Sequence, residues 1–368
     1  MKVGILTFHK AINYGAVLQA YALRTTVEEL GQPCSVIDYV GDKMLKESKI
    51  FYFPHHESLI DSMIYLFRLS MRAGTIKKFR QFSKEYLDLS DKSIHTTEEL
   101  KALSSQYKYF ITGSDQVFNY NGTGDDFNYY LEFEKDSNKK IAYAPSFGIK
   151  EIDDLHLERV KNNLNSFSSL SVRESIGADI VEMLTGNRPE EVCDPTFLLK
   201  KNQWEELCVA SQYKKPYVLV YSFGSRHLET YAKMLADEMG GIVVNINRSL
   251  PLIFGGRKVR NAYAPSPCEF LGLIKNAEAV VTNSFHGMAL SIILQKEFYG
   301  FTNNYANSEG TNCRFQTLGE KSGLSHRIYK LGDNIERSPI DYAEVEKKIN
   351  SWREESLDYL KNAITPKQ

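Results

Sequence analysis

In the segment Val280-Val281-Thr282-Asn283-Ser284-Phe285-His286-Gly287, an apolar run gives way within a few positions to three polar side chains and a glycine. Such a run reads as a buried strand, and Gly287 lets the backbone turn tightly into a following helix. At that turn the Ser284 hydroxyl, the free N–H groups of the helix start and the His286 ring can reach one anion, with Asn283 beside them. The same pattern also suits a plain serine N-cap next to a structural histidine. Ser171-Val172-Arg173-Glu174 holds a second candidate. An arginine just past a buried strand needs an anion, either the adjacent Glu174 or a ligand.

The elements that must position these residues alternate. Val3–Phe8 and Ser35–Tyr39 read as strands around a helix at Tyr14–Leu30, which Gly31 ends. Further apolar runs at Tyr107–Thr112, Ile141–Ala144 and Leu170–Val172 lead into the polar loops Gly113-Ser114-Asp115-Gln116, Pro145-Ser146-Phe147-Gly148 and Arg173-Glu174. After Leu199-Lys200-Lys201-Asn202 a second alternating unit begins. It has strands at Tyr217–Ser222, Ile242–Ile246, Ala279–Asn283 and Glu297–Thr302, a loop through Gly255-Gly256, and helices at Arg226–Met239, Pro267–Asn276 and Gly287–Leu294. A last helix is expected at Val345–Asn362.

This pattern predicts an α/β protein of two doubly wound, Rossmann-like domains with a central cleft, at residues 1–198 and 199–340. Residues 341–368 then return as a helix to pack on the first domain. Ligands of such sheets bind outside the carboxyl ends of the strands. An insertion at about 45–100 breaks the alternation. It is helical, apolar through Leu59, Ile60, Met63, Ile64, Leu66 and Phe67, then basic through Arg68, Arg72, Lys77, Lys78, Arg80 and Lys84. It reads as a peripheral helix with a solvated face, or as a lid or a surface resting on anionic lipid.

Composition narrows the class. With 42% apolar and 25% charged residues the 368-residue chain is an ordinary globular protein, and its net charge of −1 argues against a nucleic-acid partner. Cys34, Cys193, Cys208, Cys268 and Cys313 are scattered, with no metal-ligand spacing, and suit reduced thiols in a cytoplasmic protein. The start of the chain leads straight into a strand rather than a signal peptide, and no run reaches the ~18 apolar residues of a membrane helix. No Gly-x-Gly-x-x-Gly follows a strand, which disfavours a dinucleotide dehydrogenase.

Six segments in order carry a family resemblance: Asn13–Leu23 (NYGAVLQAYAL), Gly113–Asn119 (GSDQVFN), Tyr143–Gly148 (YAPSFG), Ser171–Glu174 (SVRE), Asp194–Leu199 (DPTFLL) and Ser284–Gly287 (SFHG). Together they resemble the polysaccharide pyruvyl transferase family over roughly residues 2–325. The resemblance implies a fold like the two-domain (GT-B type) glycosyltransferases, a phosphoenolpyruvate co-substrate, no cofactor and no metal. It also implies a hexose or N-acetylhexosamine acceptor. That acceptor is expected on a lipid-linked or oligosaccharide precursor, and the basic insertion adds an expected peripheral contact with the inner membrane face.

The family's basic donor residues map onto Arg173 and His286, with Asn283, Ser284 and Gly287 around them. Some members carry an arginine at the position of Ser284, and Arg314 is the candidate to replace its charge. Guanidinium groups match the carboxylate and phosphate of such a donor, and His286 suits the general acid. Acceptor groups are then expected from Asn13, Tyr14, Ser114, Gln116 and Ser146. Asp115 is either the base for the attacking hydroxyl or a turn residue bonding its own loop. The competing reading is a nucleotide-sugar glycosyltransferase or epimerase of the same architecture, which would commonly place a glutamate on the helix after the donor loop. Gly287–Lys296 has none. A carbohydrate-binding protein would have little use for His286 and Arg173 at separate strand ends.

Overall fold

The computed structural model describes residues 1–41, 43, 59–223, 226–246, 258–303, 309–335 and 337–365. In it the alternating runs form two sheets of six strands each, parallel throughout. The first holds β1 (Lys2–Leu6), β2 (Cys34–Val36), β3 (Tyr107–Thr112), β4 (Lys140–Ala142), β5 (Ser169–Val172) and β6 (Glu190–Glu191), ordered β2-β1-β3-β4-β5-β6. The second holds β7 (Tyr217–Tyr221), β8 (Ile242–Ile246), β9 (Val259–Asn261), β10 (Ala279–Thr282), β11 (Phe298–Phe301) and β12 (Ile328–Tyr329), ordered β12-β11-β10-β7-β8-β9. Helices α1 (Tyr14–Glu29), α2 (Leu59–Tyr86), α3 (Thr97–Ala102), α4 (Tyr120–Thr123), α5 (Leu157–Leu164) and α6 (Ser175–Thr185) go with the first sheet. Helices α7 (Lys201–Leu207), α8 (Arg226–Glu238), α9 (Pro267–Lys275), α10 (Phe285–Ile293) and α11 (Glu309–Ser322) go with the second, and α12 (Tyr342–Ile364) closes the chain.

The central strands are apolar without alternation because helices cover both faces, as in β7 and β10, whose residues are all buried. Each sheet reverses its strand order once, between β1 and β3 and between β7 and β10. Those reversals open crevices at the strand ends. The loop through Asp115 leaves β3 at the first reversal, and Asn283–His286 leave β10 at the second.

Helix α1 lies at the junction of the two halves, which explains why most of its residues are buried around its whole circumference. One apolar cluster runs from Val3 and Val17 through Tyr221 and Phe270 to Leu360, so the halves share a core. Helix α12 bridges them as well. The Tyr342 hydroxyl at its start donates to the Lys296 carbonyl. Further along, Arg353 Nε donates to the Phe197 carbonyl at 2.5 Å, Ser356 Oγ accepts from the Cys193 N–H at 2.9 Å, and the Tyr359 hydroxyl donates to the Ala142 carbonyl at 2.9 Å.

The insertion is less peripheral than its sequence suggests. In α2, Phe79 and Phe82 are buried, with Phe79 against Tyr14 at 5.0 Å between ring centroids. Lys78, still partly exposed, pairs with Glu269 of α9 at 2.7 Å, while Lys77, Arg80 and Lys84 are exposed. The part before Leu59, the side chains of Arg68 and Arg72 and the Gly255-Gly256 loop lie outside the described residues. Among the described residues no helix is long and apolar enough to cross a membrane.

Candidate active site

Asp194 is the centre of the arrangement, although the sequence singles it out only as part of a motif. It follows β6 in the turn Asp194-Pro195-Thr196 and is fully buried. Its Oδ1 accepts from the Thr196 N–H at 3.0 Å and the Thr196 hydroxyl at 2.8 Å. Its Oδ2 receives Arg173 Nη1 at 2.8 Å and the Ser114 hydroxyl at 3.3 Å, and His286 Nε2 lies 3.4 Å away. Burial pushes the Asp194 carboxyl up, but the His286 ring, Arg173 and the Thr196 N–H outweigh it and hold the carboxyl well below the usual range.

Arg173 sits just past β5 and is as buried as a core residue. The choice the sequence leaves open, ion pair or ligand, resolves into several partners. Nη1 bonds Asp194, Nε lies 3.4 Å from Glu174, and Nη2 lies 3.9 Å from Asp115 without a hydrogen bond. Burial alone would weaken the guanidinium charge, but Asp194, Glu174 and Asp115 together hold it protonated. Its guanidinium carbon lies over the Phe285 ring at 4.6 Å, and Arg314 approaches the same ring at 5.8 Å. Phe285 thus draws to one place the arginine the sequence names as donor ligand and the one it names as replacement charge.

His286 occupies the first turn of α10 and is buried against the first half of the chain. Ser284 caps this helix, its Oγ accepting from the Gly287 N–H at 3.3 Å. Gly287 is required by a close approach, since a Cβ there would stand 2.4 Å from Thr282 Oγ1. The buried atoms Arg173 Nη2, His286 Nε2 and Ser146 Oγ have no hydrogen-bond partner in the structure. Arg173 and His286 both meet Asp194 Oδ2, through Nη1 and Nε2, while Arg173 Nη2 is turned toward Asp115. Unpaired buried polar atoms are costly, and these mark a place prepared for a further partner.

Other expected site residues are engaged elsewhere. Asn283 spends its amide on the segments that follow β7 and β11, with Oδ1 accepting from the Phe223 N–H at 2.8 Å and Nδ2 donating to the Phe223 carbonyl at 3.2 Å and to Asn303 Oδ1 at 3.0 Å. Asn13 caps α1, its Oδ1 accepting from the Gly15 N–H at 2.9 Å and the Ala16 N–H at 3.4 Å. Tyr14 is buried at the junction: its hydroxyl donates to the Pro265 carbonyl at 2.9 Å and its ring stacks on Phe270 at 4.2 Å. That commits the hydroxyl proton of Tyr14 to the junction rather than to an acceptor. Ser114 is buried too, its single hydroxyl proton shared between the Ala144 carbonyl at 2.7 Å and the more distant Asp194 Oδ2 at 3.3 Å. Asp115 is a left-handed turn residue whose Oδ1 accepts from the Gln116 N–H at 2.9 Å. The same oxygen faces Arg173, so its turn role and its place at the site coexist. Gln116 extends over Gly148 beside Asn119. Among the described residues no cluster of side chains has the make-up of a metal site.

A model of the family described as polysaccharide pyruvyl transferase matches residues 13–305. No curated protein matches the chain. Solved structures resemble it in fold. A protein from Listeria monocytogenes described as a UDP-N-acetylglucosamine 2-epimerase has a TM-score of 0.51 at 9% identity, covering 98% of this chain and 91% of its own. The UDP-GlcNAc 2-epimerase from Neisseria meningitidis gives 0.47 at 8% identity, covering 100% and 95%. The ADP-heptose lps heptosyltransferase II from E. coli gives 0.38 at 11% identity, covering 96% and 99%. Identities this low speak to the fold alone.

Proposed function

Because the chain belongs to the polysaccharide pyruvyl transferase family, we propose that it moves the enolpyruvyl group of phosphoenolpyruvate onto two hydroxyls of a sugar in a cell-surface polysaccharide precursor, forming a pyruvate ketal. One observation carries the donor reading. Arg173 Nη2 and His286 Nε2, from different halves of the chain, are buried without hydrogen-bond partners at a single site. An anion with several oxygens satisfies both, and Arg314 beside the shared Phe285 ring adds a further positive charge.

The chemistry follows from that placement. Protonation of the donor's methylene carbon by His286 leaves oxocarbenium character at the carbon bearing phosphate. A sugar hydroxyl adds there and gives its proton to Asp115, which faces the same cluster across Arg173 Nη2. The bond to phosphate breaks, and the second hydroxyl closes the ring. Of the two hydroxyl protons, one balances that delivered to the new methyl group and the other leaves on phosphate. Gln116 and Ser146, on neighbouring loops of the first half, are the groups left to orient the acceptor. Ser146 Oγ is unpartnered, and its N–H holds the Asp115 carbonyl at 2.8 Å.

The test is titration calorimetry and thermal shift with phosphoenolpyruvate against UDP-N-acetylglucosamine, followed by phosphate release with sugar acceptors. Stabilisation by phosphoenolpyruvate alone supports the proposal. Stabilisation by the nucleotide sugar alone replaces it with a glycosyl transfer or epimerisation.

A further inference from the structure

We propose that Asp194 is a positioning residue of this transfer, holding Arg173 and His286 in one orientation so that Arg173 Nη2 and His286 Nε2 face the same donor anion. The inference rests on the donor reading above and adds a residue to it.

Asp194 is itself immobilised. Pro195 follows it, and Thr196 takes Oδ1 with both its N–H and its hydroxyl, so Oδ2 alone is turned to the site. A guanidinium is planar. Anchoring Nη1 on Asp194 Oδ2 and Nε near Glu174 therefore fixes where Nη2 points. The same Oδ2 lies 3.4 Å from His286 Nε2 on the other half of the chain, a close polar contact without an aligned hydrogen bond. One carboxylate oxygen thus sets two donor groups that arrive from separate sheets.

Affinity cannot be the reason for this arrangement. A carboxylate beside a donor that is itself an anion repels it, and in a partly dry site that repulsion is not small. What the fixed carboxylate supplies is direction, and misplacing a reacting group by about 1 Å costs on the order of 10² in rate. Positioning and simple structural support then predict opposite changes in donor affinity.

Asp194→Asn keeps the shape and removes the charge. Turnover should fall by roughly 10 to 10², while phosphoenolpyruvate should bind at least as tightly as in the wild type, measured by calorimetry. Thr196→Val keeps the carboxylate charge and removes one of the two hydrogen bonds that fix Oδ1, so turnover should fall severalfold with donor affinity unchanged. It also serves as the second variant if Asp194→Asn does not fold. Crystal structures of the two variants should show Arg173 or His286 leaving its present rotamer. Unmoved side chains, or donor affinity falling in step with melting temperature at unchanged turnover, would overturn the proposal. If phosphoenolpyruvate fails to bind the wild type, the donor reading falls by itself. The side-chain positions in the variant structures still decide whether Asp194 orients the pair.

Discussion

Gly15 lies against the ring of His286. A Cβ on Gly15 would stand 2.0 Å from Nδ1 and 2.2 Å from Cγ, far inside contact distance. The second residue of α1 is therefore glycine for the sake of a ring on the other half of the chain. With Asp194 on its other side, His286 is clasped by two segments of the first half.

This contact makes Gly15→Ala informative. Helix propensity alone would favour alanine by about 1 kcal/mol. A ring packed in a buried junction cannot yield as a flexible side-chain tip would, so His286 or α1 must shift. Turnover should fall by on the order of 10², with the helical signal retained by circular dichroism. Wild-type turnover in the folded variant would show that the position of His286 is not critical.

Arg173 lends itself to a two-variant comparison. Arg173→Ala leaves Asp194 and Glu174 buried without their cation and should destabilise by about 3–5 kcal/mol, read by urea unfolding. Arg173→Lys keeps a charge but not the fork, so it should stay closer to wild type in stability. It should still lose phosphoenolpyruvate affinity and on the order of 10² in turnover, as expected on losing one stabilising donor. Normal donor affinity in Arg173→Lys would reduce Arg173 to an internal ion pair.

Much of this was legible in the sequence because parallel strands announce themselves. Runs such as Tyr217–Tyr221 and Ala279–Thr282 are apolar on both faces, and the polar residues that end them mark the site edge. His286 and Arg173 stand out for that reason. Asp194 does not, because an aspartate before proline and threonine reads as a turn cap, a role it also fills. Gly15 is equally silent, since the ring that demands it is 271 residues away. Tyr14 and Asn283 illustrate the reverse case: both follow strands and carry polar groups, yet Pro265 and Phe223 consume those groups. The two-residue strand β12 was too short to show a pattern, whereas β6 falls beside the run Glu191-Val192-Cys193 that leads into Asp194. Sheet order is set by contacts between segments rather than within them.

Acid should act partly through Asp38. Burial pushes its carboxyl up, but hydrogen bonds from His9, Lys10 and Ser93 outweigh this and hold it well below its ordinary value of 3.8. A carboxyl lowered in the folded state adds stability that is complete above its unfolded value and is lost as pH falls below it. Unfolding free energy should therefore drop below about pH 4, and Asp38→Asn should flatten that dependence. Equal slopes for Asp38→Asn and wild type between about pH 4 and 2 would show that the Asp38 pairing contributes nothing there.

His286 carries the sharpest expectation, because two roles are open to a ring beside an anion. As general acid it delivers the proton to the methylene carbon; as ligand it only holds the donor. His286→Asn retains a polar side chain of similar reach in the capped first turn of α10, so the fold and much of the donor affinity should survive. Turnover should fall by roughly 10² to 10⁴ if the ring is the acid. His286→Lys restores a cation without a well-placed proton donor of suitable strength, and should recover binding better than rate. Single-turnover phosphate release at saturating phosphoenolpyruvate separates the roles. Rates near wild type in His286→Asn, together with a large loss of donor affinity, would make His286 a ligand. In that case the proton must come from another group in the cleft, and Asp194, held as a carboxylate beside the ring at 3.4 Å, is not that group.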